Sequence, residues 1–276
     1  MNIAIIGAGP VGCYIAAKLS EMGHEVNIYE KKSNIGFKAC SGLYSERLWN
    51  FVPRNDEIIE NSFDKIILHL PYKNIELKLK QKLFAIDRKG FNKYVKEIAL
   101  SAGAEIILGQ DVKINEGLSA GRIIGCDGAL SSTRKYLHIP DPPMRLGIMG
   151  FEYRKDDSDF IDVWPGDSGF SWKIPRGNKV EWGTLGPVNK AKQMFEIFKK
   201  RFGLDINETY AAVIPCGLVL PESENITLCG DAAGLTKPWS GGGIIWSFTA
   251  ADILIKTFPD FLKYRNEVYR KFLMRQ

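Results

Sequence analysis

Residues 2–30 read NIAIIGAGPVGCYIAAKLSEMGHEVNIYE, and this stretch decides the fold. NIAII (2–6) is a short apolar run without charge, the pattern of a strand buried on both faces. From about Pro10 to Met22, Val11, Ile15 and Leu19 recur at four-residue spacing on one face of a helix, and Gly23 ends it. EVNIYE (25–30) alternates as a second strand, so the opening is a βαβ unit. Between strand and helix stands Gly7-Ala8-Gly9-Pro10-Val11-Gly12, a GxGxxG in the context that gives the motif meaning. Gly7 permits the tight turn, Gly9 lets a pyrophosphate approach the backbone, and Gly12 lets the helix pack on the strand. The phosphate would sit on N–H groups at the positive end of the helix dipole. Glu30 ends the second strand eighteen residues after Gly12, where its carboxylate accepts from ribose hydroxyls and repels a 2′-phosphate. The bland alternative is a glycine turn without a ligand. The flanking strand, the helix and Glu30 weigh against it.

The remaining composition is that of an ordinary globular chain. It has 276 residues, 37 Lys plus Arg against 32 Asp plus Glu, and 45% apolar residues, which excludes wholesale disorder, a collagen and a disulfide scaffold. The net charge of +5 is spread along the chain, so nucleic acid is not an expected partner. Cys13, Cys40, Cys126, Cys216 and Cys229 form no CxxC pair, and His24, His69 and His138 are isolated. No metal site is expected, and a reducing compartment fits. The start of the chain has no secretory-signal pattern, and no apolar run approaches the ~20 residues of a membrane span. The expected location is cytoplasmic, with peripheral membrane contact through the C-terminus as an option.

Further along, FDKIILHL (63–70) and IELKLK (75–80) read as a hairpin about a turn at Pro71-Tyr72-Lys73-Asn74. Residues 90–102 read as a helix, AEIIL (104–108) and RIIGCDG (122–128) as strands, and 145–186 as an aromatic, strand-rich antiparallel region. A Lys-rich helix over 189–202, a strand in NITLCGD (225–231) and a long helix from about Gly243 complete the pattern. The expected organisation is a discontinuous nucleotide-binding domain (1–61, 81–142 and 225–276) and an antiparallel-sheet domain (62–80 and 143–224).

Gly230-Asp231-Ala232-Ala233-Gly234 also follows an apolar strand, with Pro238 and Ser240-Gly241-Gly242-Gly243 leading into the last helix. A helix N-terminus behind three glycines is a second anion or dipole site. It suits the pyrimidine edge of a reduced flavin, and Asp231 would reach ribityl hydroxyls or the pyrophosphate.

Taken together, GxGxxG with Glu30, GCDGALSSTR (125–134) and GDAAG with PWSGGGI (230–244) resemble the FAD-dependent oxidoreductases of the hydroxylase fold. KACSGL (38–43), FSWKIP (170–175) and the PxxGGGI ending resemble the geranylgeranyl reductases within that group, which reduce isoprenoid double bonds of lipid, chlorophyll or quinone precursors. The resemblance implies an α/β fold, with a Rossmann-like FAD-binding domain of the glutathione-reductase/hydroxylase type and an inserted antiparallel β-sheet substrate domain. It places Gly7, Gly9, Pro10, Val11, Gly12, Glu30 and Lys31 on the ADP half of FAD. It places Cys40, Ser41, Gly42, Arg88, Asp127, Gly128, Gly230, Asp231, Pro238, Gly241, Gly242, Gly243 and Ile244 around the rest of the cofactor. Two of these have simpler readings as well: Arg88 as a surface helix cap, and Asp127 as the cap of a Gly-rich turn.

Reducing an isolated C=C takes a hydride from the flavin and a proton from elsewhere. Cys40, in a polar Gly/Ser loop, is the candidate acid, since a thiol near pKa ~8.5 is protonated at neutral pH. It also reads as a small residue packed beside the flavin or substrate. Phe170, Trp172 and Ile174 share one strand face and, with Pro175 and Trp239, would wall a hydrophobic pocket. An ordinary sheet core is the alternative. Lys173 points the other way. Phe258, Phe261, Leu262, Tyr264, Val268 and Phe272 among Lys263, Arg265, Arg270, Lys271 and Arg275 read either as an interfacial helix or as a core helix with a basic outer face.

The chain is short beside typical members. Only residues 109–121 separate AEIIL from RIIGCDG, where relatives carry a β-meander, and only 245–276 follow GGGI, where relatives continue with helices over the substrate tunnel. The expected function is FAD-dependent reduction of C=C bonds in an isoprenoid, geranylgeranyl-type lipid or related hydrophobic substrate. Electrons would come from an external donor: a ferredoxin, reduced flavin or NAD(P)H. A monooxygenase of the same fold and a trimmed, non-enzymatic flavin- or lipid-binding protein are the alternatives.

Overall fold

The computed structural model describes residues 1–35, 39–112, 114, 118 and 120–273. Lys38 of KACSGL and Arg275 of the C-terminal basic set lie outside the described residues. The chain runs β1 (Asn2–Ile6), α1 (Pro10–Glu21), β2 (Glu25–Glu30), β3 (Leu43–Ser45), β4 (Ile59–His69), β5 (Asn74–Ile86) and α2 (Arg88–Ser101). It continues through β6 (Glu105–Leu108), β7 (Arg122–Gly125), α3 (Ser132–Tyr136), β8 (Met144–Glu152), β9 (Phe160–Gly166), β10 (Gly169–Pro175) and β11 (Val180–Pro187). It ends with α4 (Ala191–Phe202), β12 (Thr209–Pro215), β13 (Ile226–Leu228), α5 (Ile244–Thr257) and α6 (Phe261–Leu273).

These elements form two compact units. The first comprises Met1–Gly36, Phe91–Pro143 and Pro215–Gln276. Its parallel sheet has the order β13-β7-β1-β2-β6. β1 lies in the middle, and the residues after its exposed first one are buried, as a two-faced strand requires. The chain leaves β1 toward β2 and β6 on one side and returns to β7 and β13 on the other. The carboxyl ends of β1 and β7 therefore bound a topological switch point, where open α/β sheets bind ligands. α5 packs on α1 through Tyr14 stacked on Phe248, ring centroids 4.8 Å apart. The apolar face of α6 is spent on the core: Phe261, Tyr264, Val268 and Phe272 are buried, and the Tyr264 hydroxyl donates to the Leu228 carbonyl at 3.0 Å. Of the two readings of that helix, these four positions display the core helix, while Leu262 is exposed. Among the described residues no helix is long and apolar enough to cross a membrane.

The second unit, Phe37–Gly90 and Met144–Ile214, is built on a sheet ordered β12-β8-β11-β10-β9-β4-β5-β3. The hairpin forms about the expected turn, with His69 opposite Asn74, but its strands reach back to Ile59 and on to Ile86. β3 then adds to β5, with Leu43 opposite Ala85. This pairing draws residues 37–61 and 81–90, expected with the nucleotide domain, into the second unit. Residues 215–224 go the other way, since Val219 N–H donates to Ala233 at 3.0 Å within the first unit. β4 and β9 run parallel within this otherwise mainly antiparallel sheet. One sheet face packs Ile148, Val180 and Trp182 under Phe195 and Phe198 of α4, while Phe63, Ala85, Ile161 and Ile174 cluster as a second core.

Candidate active site

Three glycines set the shape of the turn after β1. Gly7 has φ +104°, and a Cβ there would stand 2.5 Å from the Cys126 carbonyl oxygen at the end of β7. A Cβ on Gly12 would lie 2.2 Å from the Gly7 carbonyl oxygen, so only glycine lets α1 approach β1 this closely. A Cβ on Gly9 would meet nothing within 4 Å, which makes this the open side of the turn. Gly9 is also the N-cap of α1, no side chain caps that end, and Pro10 occupies the first turn. The helix thus offers its N-terminal N–H groups and dipole to an anion. Val11 is half-buried beside Gly230, whose added Cβ would touch it at 3.4 Å. Glu30 closes the turn from β2: its Oε2 accepts from Ala8 N–H and its Oε1 from Lys32 N–H, both at 3.0 Å. Lys31 is exposed beside it. The residues fit a dinucleotide: a glycine cradle open on one side, an uncapped helix end, and a carboxylate at its rim.

Asp127 follows β7, ahead of Gly128 at φ +84°. Both of its oxygens are engaged within the chain: Oδ1 accepts from Ser131 Oγ at 2.5 Å, and Oδ2 from Ser132 Oγ at 2.9 Å, Thr133 N–H at 2.9 Å and Thr133 Oγ1 at 3.1 Å. Of its two readings, the structure displays the cap. Nearby Arg134, whose role the sequence reading left unassigned, is fully buried. It donates to Asp141, to the Ala129 carbonyl at 2.7 Å and to the Ala232 carbonyl at 2.9 Å, tying the Asp127 loop to the GDAAG turn.

That turn winds once over Gly230–Ala233 and ends at Gly234, φ +70°, whose Cβ would overlap the Gly217 carbonyl. Pro238 and the glycines follow in a loop closed by Gly241 N–H on the Lys237 carbonyl at 2.8 Å. Gly243 caps α5 without a side-chain bond, and a Cβ on it would lie 3.3 Å from Asp231 Oδ1, so Asp231 stands at that helix end. Gly242 faces open space apart from Ser240 Oγ, and Ile244 is half-buried. Trp239 is 59% exposed and rests edge-on against Trp246. An open groove of about 650 Å³ lies elsewhere in this unit, at the amino end of β7. Arg122, Glu224, Asp260 and Lys263 line it with mixed charge, away from the glycine turns.

In the second unit, Cys40, Ser41 and Gly42 lead into β3. Gly42 has φ +57°, its carbonyl accepts from Ile86 N–H at 2.9 Å, and a Cβ on it would stand 2.4 Å from the Ile86 oxygen. Cys40 Sγ accepts from Gly42 N–H at 3.4 Å and from the Arg88 guanidinium at 3.6 Å. The Tyr44 hydroxyl stands 3.8 Å from the sulfur and itself accepts from Arg88 at 2.5 Å. Burial pushes the Tyr44 phenol well up, with Arg88 opposing, so it stays protonated and can accept from the thiol or donate to a thiolate. The fold therefore brings Cys40 and Arg88 together and adds Tyr44, which the sequence reading missed. Its signal was its place four residues after Cys40 on an alternating strand. Burial pushes the Cys13 and Cys229 thiols up to about 12 and that of Cys126 well above its usual range, so these three stay protonated.

Comparison with known proteins agrees with this geometry. Residues 5–52 match the model of the NAD(P)-binding Rossmann-like domain. A digeranylgeranylglycerophospholipid reductase 1 from Methanosphaera stadtmanae is 28% identical over 326 aligned positions, which cover 98% of this chain and 80% of that protein. The structure of a geranylgeranyl bacteriochlorophyll reductase-like protein from Thermoplasma acidophilum superposes with a TM-score of 0.85 at 18% identity, over 98% of this chain and 83% of that one. A tryptophan 6-halogenase from Streptomyces toxytricini shares the fold at a TM-score of 0.76 and 12% identity, over 97% and 75% of the two chains. The chain is related to the geranylgeranyl-reductase-like flavoproteins. Its architecture is that of the hydroxylase-fold flavoproteins: a Rossmann-like region with an inserted, curled sheet.

The aromatic motif on β10 divides in two. Phe170 and Trp172 are half-buried, with ring centroids 5.7 Å apart. Ile174 is only 2% exposed, in the core with Phe63, Ala85 and Ile161, and Pro175 is buried too. Those two were expected on a pocket wall, but the core takes them because the strand end lies under β4 and β5. Trp172 lies across Gly183 on β11, where a Cβ would come within 2.2 Å of the indole, and its N–H donates to Glu181 Oε1 at 2.8 Å. Lys173, on the opposite face, pairs with Asp156 at 2.8 Å and Asp162 at 3.5 Å. Arg176, also unassigned from sequence, is buried between Glu181 and Glu60. Burial alone would lower its pKa, but the two carboxylates outweigh this and hold the guanidinium above its ordinary value.

Proposed function

We propose that this chain binds FAD and reduces C=C bonds of an isoprenoid, geranylgeranyl-type lipid or a related hydrophobic substrate. The reduced cofactor supplies the hydride. Gly7, Gly9 and Gly12 with the N-terminus of α1 would cradle the pyrophosphate, Glu30 would accept from ribose hydroxyls, and Asp231 with Gly241–Gly243 at the head of α5 would hold the flavin end. Cys40 gives a proton to the substrate carbon that does not receive the hydride. The Gly42 N–H, the Arg88 guanidinium and the rotating Tyr44 hydroxyl then receive the charge left on sulfur. That donor set around Cys40 Sγ is the observation that carries the reading. An apolar substrate suits the half-buried row Leu68, Val163 and Trp172, which are cross-strand neighbours on β4, β9 and β10. The electrons would come from an external donor.

The test is anaerobic. The FAD-loaded protein is photoreduced, mixed with a geranylgeranylated lipid and followed at the flavin absorbance, and the lipid is weighed by mass spectrometry. The expected result is reoxidation with two hydrogens gained per double bond. Absence of reoxidation across several prenyl substrates sinks the proposal, and NAD(P)H-driven hydroxylation under air would replace it with a monooxygenase.

A further inference from the structure

We infer that Arg176 is a positioning residue for Cys40: it fixes the peptide plane between Ser41 and Gly42, and with it the N–H that faces the Cys40 sulfur. Arg176 is 6% exposed and uses its whole fork. Nε and Nη2 lie on Glu181 Oε2 at 2.9 and 2.8 Å, and Nη1 meets Glu60 and the Ile86 carbonyl, the latter at 3.4 Å. Nη2 also donates to the Ser41 carbonyl. That carbonyl belongs to the same peptide as the Gly42 N–H, which donates to Cys40 Sγ at 3.4 Å. A trans peptide holds its C=O and N–H in opposite directions. Fixing the oxygen from one side therefore aims the hydrogen at the sulfur on the other. Gly42 permits this orientation, since φ +57° and the 2.4 Å approach to Ile86 both exclude a side chain.

The network joins two motifs that are far apart in sequence. Glu181 holds Arg176 with Oε2 and the Trp172 indole with Oε1, so the aromatic strand and the cysteine loop share one buried carboxylate. Lys179 pairs with Glu60 at 2.8 Å, and the four charges of Arg176, Lys179, Glu60 and Glu181 cancel. A lysine at 176 would keep this balance but has no planar fork to span two carboxylates and a carbonyl. Charge balance and loop positioning are thus separable by mutation.

The inference deepens the reading of Cys40 as proton donor and rests on it for its meaning in turnover. Its test needs no substrate. Arg176→Lys, Arg176→Met and Lys179→Met are treated with iodoacetamide, and alkylation of Cys40 is timed by peptide mass against Cys216 in the same sample, alongside thermal melting. The Lys variant is expected to recover most of the melting temperature lost in Met while still changing the Cys40 rate at least fivefold, with Cys216 unmoved. Lys179→Met should leave the Cys40 rate within twofold of wild type. If Arg176→Lys also leaves it within twofold, or if Cys40 and Cys216 change together, Arg176 is structural only and the inference fails. Should the Arg176 variants not fold, Glu60→Gln removes one anion that seats the fork. A twofold or larger shift at Cys40 supports the inference, and none overturns it. Failure of the wild type to reduce any prenyl lipid would remove the proposed reaction and leave this readout intact.

Discussion

The carbonyl oxygen of Gly7 stands 2.2 Å from where a Cβ on Gly12 would be, while a Cβ on Gly9, between them, would touch nothing within 4 Å. The same motif therefore holds one glycine required by packing and one left open toward a ligand. Gly12→Ala forces a methyl against backbone, which has no rotamer to yield, and overpacking of this kind costs about 1–3 kcal/mol or more. Gly9→Ala is expected to melt within a degree or two of wild type, because φ −71° suits any residue, yet to bind FAD at least tenfold more weakly. Gly12→Ala should lose both. Thermal melts of the apo protein and fluorescence titration with FAD separate the two. Undiminished FAD binding by Gly9→Ala would remove the open side of the turn from the site.

What the sequence disclosed follows from how local each constraint is. The roles of Gly7, Gly9 and Gly12 are local sterics, and the β4–β5 hairpin follows from period-two alternation about Pro71–Asn74, so both are legible residue by residue. The assignment of residues 37–61 to the second unit depends on Leu43 finding Ala85, a pairing that no local pattern announces. Alternation puts Phe170, Trp172 and Ile174 on one face but does not say which of them a neighbouring strand covers, so Ile174 and Pro175 were mistaken for wall residues. Tyr44, Arg134 and Arg176 were missed for a related reason. The partners of Arg176 lie at residues 41, 60, 86 and 181, and a buried charge network has no period to read.

Asp127 offers a test of structure against direct ligand contact. Asp127→Asn turns an amide toward hydroxyl and N–H donors, leaving at least one of them without an acceptor, at about 1–3 kcal/mol. The loop then loses its hold on the head of α3, and Arg134, anchored at Ala129 in the same loop, loses its seat. Melting temperature and FAD affinity are expected to fall together. A variant that melts like wild type but binds FAD poorly would instead assign the carboxylate to the cofactor.

The Trp172 indole depends on Gly183. Gly183→Ala places a methyl within 2.2 Å of the ring and turns it from its bond to Glu181 Oε1, a carboxylate with no exposure of its own. Overpacking and an unmet buried acceptor both destabilise, together by roughly 2–4 kcal/mol. Trp172→Phe keeps one aromatic ring in place but gives up the pyrrole part of the indole together with its N–H bond to Glu181. Gly183→Ala is expected to raise KM for a prenyl substrate more than Trp172→Phe does and to shift tryptophan emission to the red. Equal KM values in the two variants would mean that indole placement does not matter to the substrate.

Acid stability should report Asp156. Burial alone would raise its pKa, but the Lys173 ammonium at 2.8 Å and two donors from Ser158, N–H at 3.0 Å and Oγ at 2.5 Å, outweigh it and hold the carboxyl at about 2. An unfolded aspartate titrates near about 3.9. Between these values the unfolded chain binds the proton and the folded chain does not, so stability rises with pH across the window. The contribution is complete above about pH 4 and is lost as pH falls through about 2. Discounted for solvent around a partly exposed ion pair, it amounts to roughly 1–2 kcal/mol. Asp156→Asn never has this contribution. Its melting temperature should lie below wild type at pH 6, and the gap should narrow steadily from pH 4 to pH 2. Lys173 faces away from Phe170 and Trp172, so flavin reoxidation at neutral pH should be unchanged. A gap in melting temperature that stays constant down to pH 2 would show that the carboxyl keeps an ordinary pKa in the folded chain.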